Sequence, residues 1–497
     1  MEIIELNATE INKLSLELNG IEGRRNFYNE FHKDCLVSII VMASNRLEKT
    51  KECLEALFKY TKDIPFELVL FDNGSTDDTL AYFESIKYED KKIIHSTKNL
   101  GVAYAYNMGI KHSKGKYFVY LANDILVTKD WLKNLLICIT SDSNIGVAVP
   151  YTSNTSNLQD PGFKYDSINE MFEIAENYNK SNPTLWEERM RITTSLPIFS
   201  REAVEQVGLF DMGFYHDFTE DDYCLRLRRA GWKLMVCGDT YACHNHVRLF
   251  NTKEEVEEVQ SSMKMGRDYY FQKYGLDAWS DIMSPELQLV DLLNKITEYP
   301  KNNKILGIDI HSGDCLLNVK NTLRKKGIFN NELSIVNSEI KYYLENCSIS
   351  SDVKIGSIEK DVNIASYSKK NIVVLGKCLN EYAEPIKVLS NLISILDSKG
   401  ILLIKLKNSN TYETLFSGLG YANFRNQDMN VNLAFEDLVN CLNYMPIEKF
   451  EFSYSFGSKI NEILPTIHEI FSKIGIDNEE AKAKLLINEY YFLIQKK

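Results

Sequence analysis

Asp124 stands where an apolar run breaks: Tyr117 to Leu121 gives way to Ala122, Asn123 and Asp124, and the apolar chain then resumes. A buried parallel strand delivers a carboxylate in this way to the open edge of an α/β sheet, where ligands bind. There it can hold Mg²⁺ or Mn²⁺ against a diphosphate, because hard cations prefer oxygen ligands and keep positions open for substrate. Glu220, Asp221 and Asp222 form a second acidic group. Adjacent carboxylates repel, so at least one should hold its proton to a higher pH, toward the range useful for a general base. The plainer reading is a solvated first helical turn, where acids favour the helix dipole. Two imidazoles, His244 and His246, follow in Tyr241-Ala-Cys-His-Asn-His246.

The segments between these groups alternate strand and helix. Val37–Met42 reads as a buried strand closing on Ala43-Ser-Asn-Arg46, and Leu47, Thr50, Leu54, Leu57 and Phe58 then recur at helical spacing. Phe66–Phe71 makes a second strand, ending in Asp72-Asn-Gly-Ser-Thr-Asp-Asp-Thr79. Gly74 permits a tight turn there, and Ser75 to Asp78 offers N-caps for the next helix. Asn99-Leu-Gly-Val-Ala-Tyr-Ala-Tyr-Asn107 opens another helix, and Gly115–Leu121 leads to the Asp124 edge. The alternation predicts an α/β fold, a mostly parallel sheet with helices on both faces.

The order of these motifs resembles that of family 2 glycosyltransferases of the GT-A fold. The strand ending in Asn45-Arg46, then Asp72-Asn-Gly-Ser75, Asn99-Leu-Gly101, Leu121-Ala-Asn-Asp124 and Thr219-Glu-Asp-Asp-Tyr-Cys-Leu-Arg226 follow the family's sequence over residues 35 to 278. Only the last acid of the usual Asp-x-Asp-like motif is kept. The resemblance implies a metal-dependent inverting transfer of a sugar from a UDP-, GDP- or dTDP-linked donor to a hydroxyl of a glycan, lipid-linked or protein acceptor. It implies Asp124 as metal ligand, with His244 fitting the place of a metal-reaching histidine better than His246. It implies Asp72 on the nucleobase or ribose, an Asx-turn being the alternative, and Ser44, Asn45, Arg46, Asn99, Gly101, Asn107, Asn123 and Arg226 around the donor. Arg228 and Arg229 read more simply as an exposed helix face. Reading Thr219-Glu220-Asp221 as the Thr-Glu-Asp of processive relatives makes Asp221 the base; spacing backward from Cys224 and Arg226 puts Asp222 at the motif's last acid. Val149–Gly162 is polar and rich in turn formers, as a substrate loop or a plain surface loop would be. Trp186, Phe214 and Tyr215 are candidates to stack on an acceptor sugar or to lie in the core.

A chain of 497 residues suggests two or three domains. Its net charge of −12 argues against a nucleic-acid partner. The 10 cysteines show no Cys-x-x-Cys pair and fit reduced thiols in a cytoplasmic enzyme. No apolar run reaches a membrane-spanning length, which still leaves room for contact with a membrane surface. Residues 1–34 read as a helical segment without a signal peptide, 35–278 as the GT-A domain, 279–300 as a helical linker and 301–497 as a second Rossmann-like domain.

That second part resembles class I S-adenosylmethionine-dependent methyltransferases through Gly376-Lys-Cys-Leu-Asn-Glu-Tyr-Ala-Glu-Pro385 and Lys399-Gly400. The departures argue against S-adenosylmethionine as cofactor. The glycine-rich loop keeps only Gly313, His311 replaces a small residue, and Asn337 and Ser357 replace two acids, with Asp309 and Glu339 left to compensate. The expectation is a degenerate domain that docks or presents an acceptor. A bifunctional glycosyl- and methyltransferase and a non-catalytic binding subunit are the alternatives. The pairing of modules suggests bacterial surface polysaccharide or flagellin glycan assembly, by association only.

Overall fold

The computed structural model describes residues 2–6, 35–214, 217–245, 252–414, 429–457, 460–473, 475 and 479–497. The chain divides into two compact units, Met1–Met283 and Ser284–Lys497. In the first, the strands are β1 (Glu2–Leu6), β2 (Cys35–Ala43), β3 (Glu67–Asn73), β4 (Lys91–Ser96), β5 (Gly115–Ala122), β6 (Ile125–Leu126), β7 (Ile145–Thr152), β8 (Trp186–Arg189), β9 (Ile198–Ser200) and β10 (Lys233–His244). They form one sheet in the order β1-β4-β3-β2-β5-β9-β7-β10-β6, with β8 pairing β10. The β1-β4-β3-β2-β5 half is parallel, and the short β9 runs antiparallel between β5 and β7. Glu2–Leu6, expected to be helical, is thus an edge strand; the rest of the N-terminal segment lies outside the described residues.

Every residue of β3 is buried, as a strand covered by helices on both faces requires. Helices Leu47–Tyr60 and Trp131–Thr140 pack on one face of the sheet, and Val102–His112, Arg201–Val207 and Thr219–Arg229 on the other. A fully buried side chain such as Leu70 contributes on the order of 2 kcal/mol to this packing. The register sets Ala43 beside Asp72, Asp72 beside His95 and Met42 beside Ala122. The loops after β2, β3, β4 and β5 therefore leave the sheet along one edge.

The second unit has β11 (Asn302–Ile308), β12 (Asn330–Asn337), β13 (Asp352–Ile355), β14 (Lys370–Cys378), β15 (Leu396–Lys407), β16 (Ile447–Phe456) and β17 (Ile487–Lys496), in the order β13-β12-β11-β14-β15-β17-β16. The first five are parallel, and β17 inserts antiparallel between β15 and β16. This is a doubly wound plan with its switch point between β11 and β14. From Ser284 on, the stretch expected to be a linker is built into this unit: Leu289, Val290, Leu292 and Leu293 are buried beside Leu316 and Leu493. Among the described residues no helix is long and apolar enough to cross a membrane.

Candidate active site

The chain leaves β2 through two left-handed residues, Asn45 at φ 61° and Arg46 at φ 64° and ψ 50°. Such backbone costs roughly 1–2 kcal/mol for a residue with a Cβ, less for Asn. The neighbouring loops hold it in place. Asn45 N–H donates to Ser75 Oγ (2.8 Å), Thr76 N–H donates to Asn45 Oδ1 (2.7 Å) and Leu47 N–H donates to Asp77 Oδ2 (3.1 Å). Asn123, buried just after β5, donates from Nδ2 to the Asn45 carbonyl at 3.0 Å and to Thr50 Oγ1 at 2.9 Å. Asn123 therefore supports the turn from behind.

What the turn presents is Arg46, whose Nη1 lies 3.2 Å from Asp124 Oδ2. His244 Nε2 stands 3.6 Å from the other oxygen, Oδ1. The Asp124 side chain is 12% exposed, so the carboxylate is framed rather than sealed. His244 is positioned by the loop after β7: its N–H donates to Ser153 Oγ at 3.0 Å and its carbonyl accepts from Asn154 Nδ2 at 3.1 Å. Among the described residues no three His, Cys, Asp or Glu converge as a metal cluster. Asp124 with His244 nonetheless suits an ion of the Mg²⁺ or Mn²⁺ type, which is held by one or two protein groups and completes its shell with water and phosphate oxygens. His246 lies outside the described residues.

Asp72 has no exposed side-chain surface: Oδ1 accepts from Ser75 N–H at 3.0 Å and Oδ2 lies 2.8 Å from His95 Nδ1. The Asx-turn reading describes this carboxylate, and it orients His95, which keeps 19% exposure. Asn99 Nδ2 donates to Ser44 Oγ at 3.2 Å, while its Oδ1 accepts from Gly101 N–H at 2.9 Å. Gly101, at φ 82°, opens the helix Val102–His112 in a conformation suited to glycine. Ser44, Asn45, Asn99 and Gly101 thus form one bonded rim beside Arg46.

The three acids of helix Thr219–Arg229 part company. Asp222 is fully buried and accepts from Arg226 Nε (2.9 Å), Lys273 Nζ (2.5 Å) and Tyr274 hydroxyl (2.6 Å). Burial, then the Asp222 charge, pushes the Tyr274 hydroxyl well above its ordinary range, so it stays a donor. Asp221 is paired through both oxygens with Arg191 Nε and Nη2. Burial pushes the Asp221 carboxyl up and Arg191 pulls it back, while each oxygen already carries one guanidinium contact. Glu220 is the acid of the three that remains partly exposed.

Two expected donor contacts are corrected. Asn107 is buried and clasps the main chain of Phe210, donating to its carbonyl at 2.9 Å and accepting from its N–H at 2.8 Å. Arg226 donates to the carbonyls of Val207 and Leu209, each at 3.0 Å, besides Asp222, so three of its five N–H groups hold the fold together. Arg228, read as an exposed helix face, is buried against Glu188 at 2.8 Å. Trp186 and Phe214 are core residues, and Tyr215 lies outside the described residues. The loop after β7 is pinned: Gln159 Nε2 donates to the Thr193 carbonyl (2.9 Å), and Asn157 Nδ2 to that of Arg191 (2.7 Å). It thereby connects His244 to the Arg191–Asp221 pair. Sequence reasoning missed Arg191 and His95. Neither sits in a spaced pattern; only the strand register, which puts His95 beside Asp72, could have revealed the second.

In the second unit the corresponding strand ends are filled by the chain itself. The Tyr382 hydroxyl donates to Asp309 Oδ2 at 2.5 Å, and Ser338 N–H to Oδ1 at 2.7 Å. Asn337 Nδ2 and Asn346 Nδ2 donate to the His311 carbonyl at 3.0 and 2.8 Å. His311, at φ 51°, stacks its ring on Tyr342, 5.3 Å between centroids. Above Gly313, a Cβ would come within 2.3 Å of Ile349 Cδ1. The space beside the loop glycine is thus protein, and Asp309 and Glu339 do not restore a cofactor grip: Glu339 is exposed and faces Lys341 at 3.6 Å. These residues do not fit S-adenosylmethionine.

The sequence profile of glycosyl transferase family 2 matches residues 38–208, so that segment is a family 2 domain. Over 98 residues the chain is 40% identical to an uncharacterized glycosyltransferase of Rickettsia felis, covering 20% of this chain and 16% of that one. It thus spans about a sixth of that relative's length. Among solved structures it is similar to a mannosyltransferase from Pyrobaculum calidifontis in complex with GDP-Man and Mn²⁺ (16% identity, TM-score 0.35, 53% of this chain and 73% of that one). It is also similar to a SAM-dependent methyltransferase from Archaeoglobus fulgidus (14% identity, TM-score 0.30, 46% of this chain and 99% of that one). With the family goes the GT-A fold of the first unit; the second is a further Rossmann-like α/β unit.

Proposed function

We propose that this chain transfers a sugar, with inversion, from a nucleoside-diphosphate donor to a hydroxyl of a glycan, lipid-linked or protein acceptor. The supporting observation is the grouping of Asp124, His244 and Arg46 at the sheet edge of a family 2 domain. Asp124 and His244 would hold a divalent ion, which when bound neutralises charge on the leaving diphosphate. Arg46 adds a planar guanidinium matched to phosphate oxygens. Ser44, Asn45, Asn99 and Gly101 wall the donor on the side of the β2 turn, and Asp72 works through His95 there. Glu220 takes the acceptor's hydroxyl proton as its oxygen attacks the anomeric carbon and the bond to the diphosphate breaks. Arg191 keeps Asp221 from that task, and Asp222 braces the helix. The second unit, without a fitting cofactor site, serves as a docking or acceptor-presenting module.

The test is a panel of UDP-, GDP- and dTDP-sugars with and without Mn²⁺, run on the wild type and on Glu220→Gln and Asp221→Asn. Glu220→Gln is expected to lose at least about a hundredfold in turnover, the scale of a missing general base. Full turnover in Glu220→Gln alongside collapse in a folded Asp221→Asn would return the base to Asp221. No turnover of any nucleotide sugar by the wild type would favour a binding subunit.

A further inference from the structure

Arg46 is the feature of this site that a metal ligand set does not explain. It stands on a left-handed backbone fixed by several hydrogen bonds, and its guanidinium rests on one of the two oxygens a cation would use. His244 faces the other oxygen. The Arg46 side chain is 49% exposed, so this ion pair is weak and easily opened. Ala122, two residues before Asp124, adds no second negative charge. One carboxylate shared between a guanidinium and an imidazole cannot attract a divalent ion as two carboxylates would. Its charge is already matched, and an incoming ion must displace Arg46.

We propose that Arg46 is an exchangeable counter-ion, closing on Asp124 in the donor-free chain and moving to the donor's diphosphate as a divalent ion takes Asp124. The inference rests on the reading of this edge as a nucleoside-diphosphate site. It makes metal and diphosphate binding mutually dependent: diphosphate draws Arg46 off Asp124 and supplies oxygens to the ion, so each ligand raises the affinity for the other. A lone ion meets a carboxylate that is already paired.

The experiment measures Mn²⁺ binding to the full chain by electron paramagnetic resonance, with and without inorganic pyrophosphate, for the wild type, Arg46→Gly, Arg46→Lys and Lys49→Gln. Glycine accepts a φ of 64°, so Arg46→Gly removes the guanidinium while leaving the turn relaxed. Lys49, on the same helix and paired with Glu52, reports the effect of removing a nearby positive charge that does not touch Asp124. Without pyrophosphate, Arg46→Gly is expected to bind Mn²⁺ about two- to fivefold more tightly than the wild type, the scale of an exposed ion pair. With Mn²⁺ present, the same variant is expected to bind pyrophosphate at least about tenfold more weakly, the scale of a lost charge-assisted hydrogen bond. Arg46→Lys should lie between, and Lys49→Gln should match the wild type. An unchanged or weaker Mn²⁺ affinity in Arg46→Gly overturns the proposal, as does an equal gain in Lys49→Gln or an unchanged pyrophosphate affinity. If the wild type binds neither Mn²⁺ nor pyrophosphate, the donor-site reading falls with it; binding of both, insensitive to Arg46, removes the exchange alone.

Discussion

Each unit gathers parallel strands whose ends deliver polar side chains to a loop edge, yet the two edges are finished differently. After β5 of the first, Asp124 keeps part of its surface in solvent and meets a guanidinium on one oxygen and an imidazole near the other. After β11 of the second, Asp309 accepts from Tyr382 and Ser338, and Asn337 and Asn346 close on the His311 carbonyl. A polar group satisfied inside its own fold stiffens the fold; one that stays partly solvated and partly paired can exchange partners. The same architecture thus yields an edge whose carboxylate can exchange partners and an edge turned into structure.

The sharpest way to break this contrast is to truncate the two aspartates. Asp124→Ala should cut turnover at least about a hundredfold and abolish any response to Mn²⁺, whereas Asp309→Ala should leave turnover within about twofold and lower thermal stability. Equal loss of turnover in both would erase the distinction. Next in size, Asn107→Ala leaves the N–H and carbonyl of Phe210 without their partner. We expect about 2–4 kcal/mol of lost stability in urea unfolding with unchanged nucleotide-sugar affinity; a weakened affinity in a fully stable variant would restore Asn107 to the donor site. A smaller effect, about 1 kcal/mol, is expected for Tyr382→Phe. Titration calorimetry should detect no S-adenosylmethionine binding at millimolar concentration in that variant or in the wild type, and heat of binding in either would reopen the second edge.

The mildest prediction concerns pH. Burial, helped by Lys111 and Lys92, pulls His112 down to about 4, against an ordinary value near 6.5. Between those values the unfolded chain binds a proton that the folded one refuses, so stability falls as pH falls through that window. His112→Gln should flatten the slope of unfolding free energy against pH from about 6.5 to 4. An unaltered slope would assign the acid sensitivity elsewhere.

Strand–helix alternation and the order of polar strand ends made the first fold and the Asp124 edge legible, because both depend on local patterns. What escaped depends on partners far along the chain. Asp222 reads as a base candidate or a solvated helix turn, and Arg226 as a donor contact, until Lys273, Tyr274 and the carbonyls of Val207 and Leu209 are brought to them. Asn107 lies at the end of a motif that marks the helix but not the face it turns to Phe210. Arg191 carries no sequence signal at all, and its pairing with Asp221 is the reason Glu220 is the base we propose. Glu-Ile-Ile-Glu-Leu at residues 2–6 is too short for periodicity to separate strand from helix, and β4 decides it.

The Asp222 brace also says where this protein can be cut. Residues 38–208 carry the family profile, but β10 fills an interior position of the sheet, and the charge on Asp222 is met from Lys273 and Tyr274. A fragment ending at 208 would leave β7 with an exposed edge and lose helix Thr219–Arg229; one ending near 250 would bury Asp222 short of two of its three donors. The smallest autonomous piece must therefore run past Tyr274, and the recognisable half of the domain is not its folding unit.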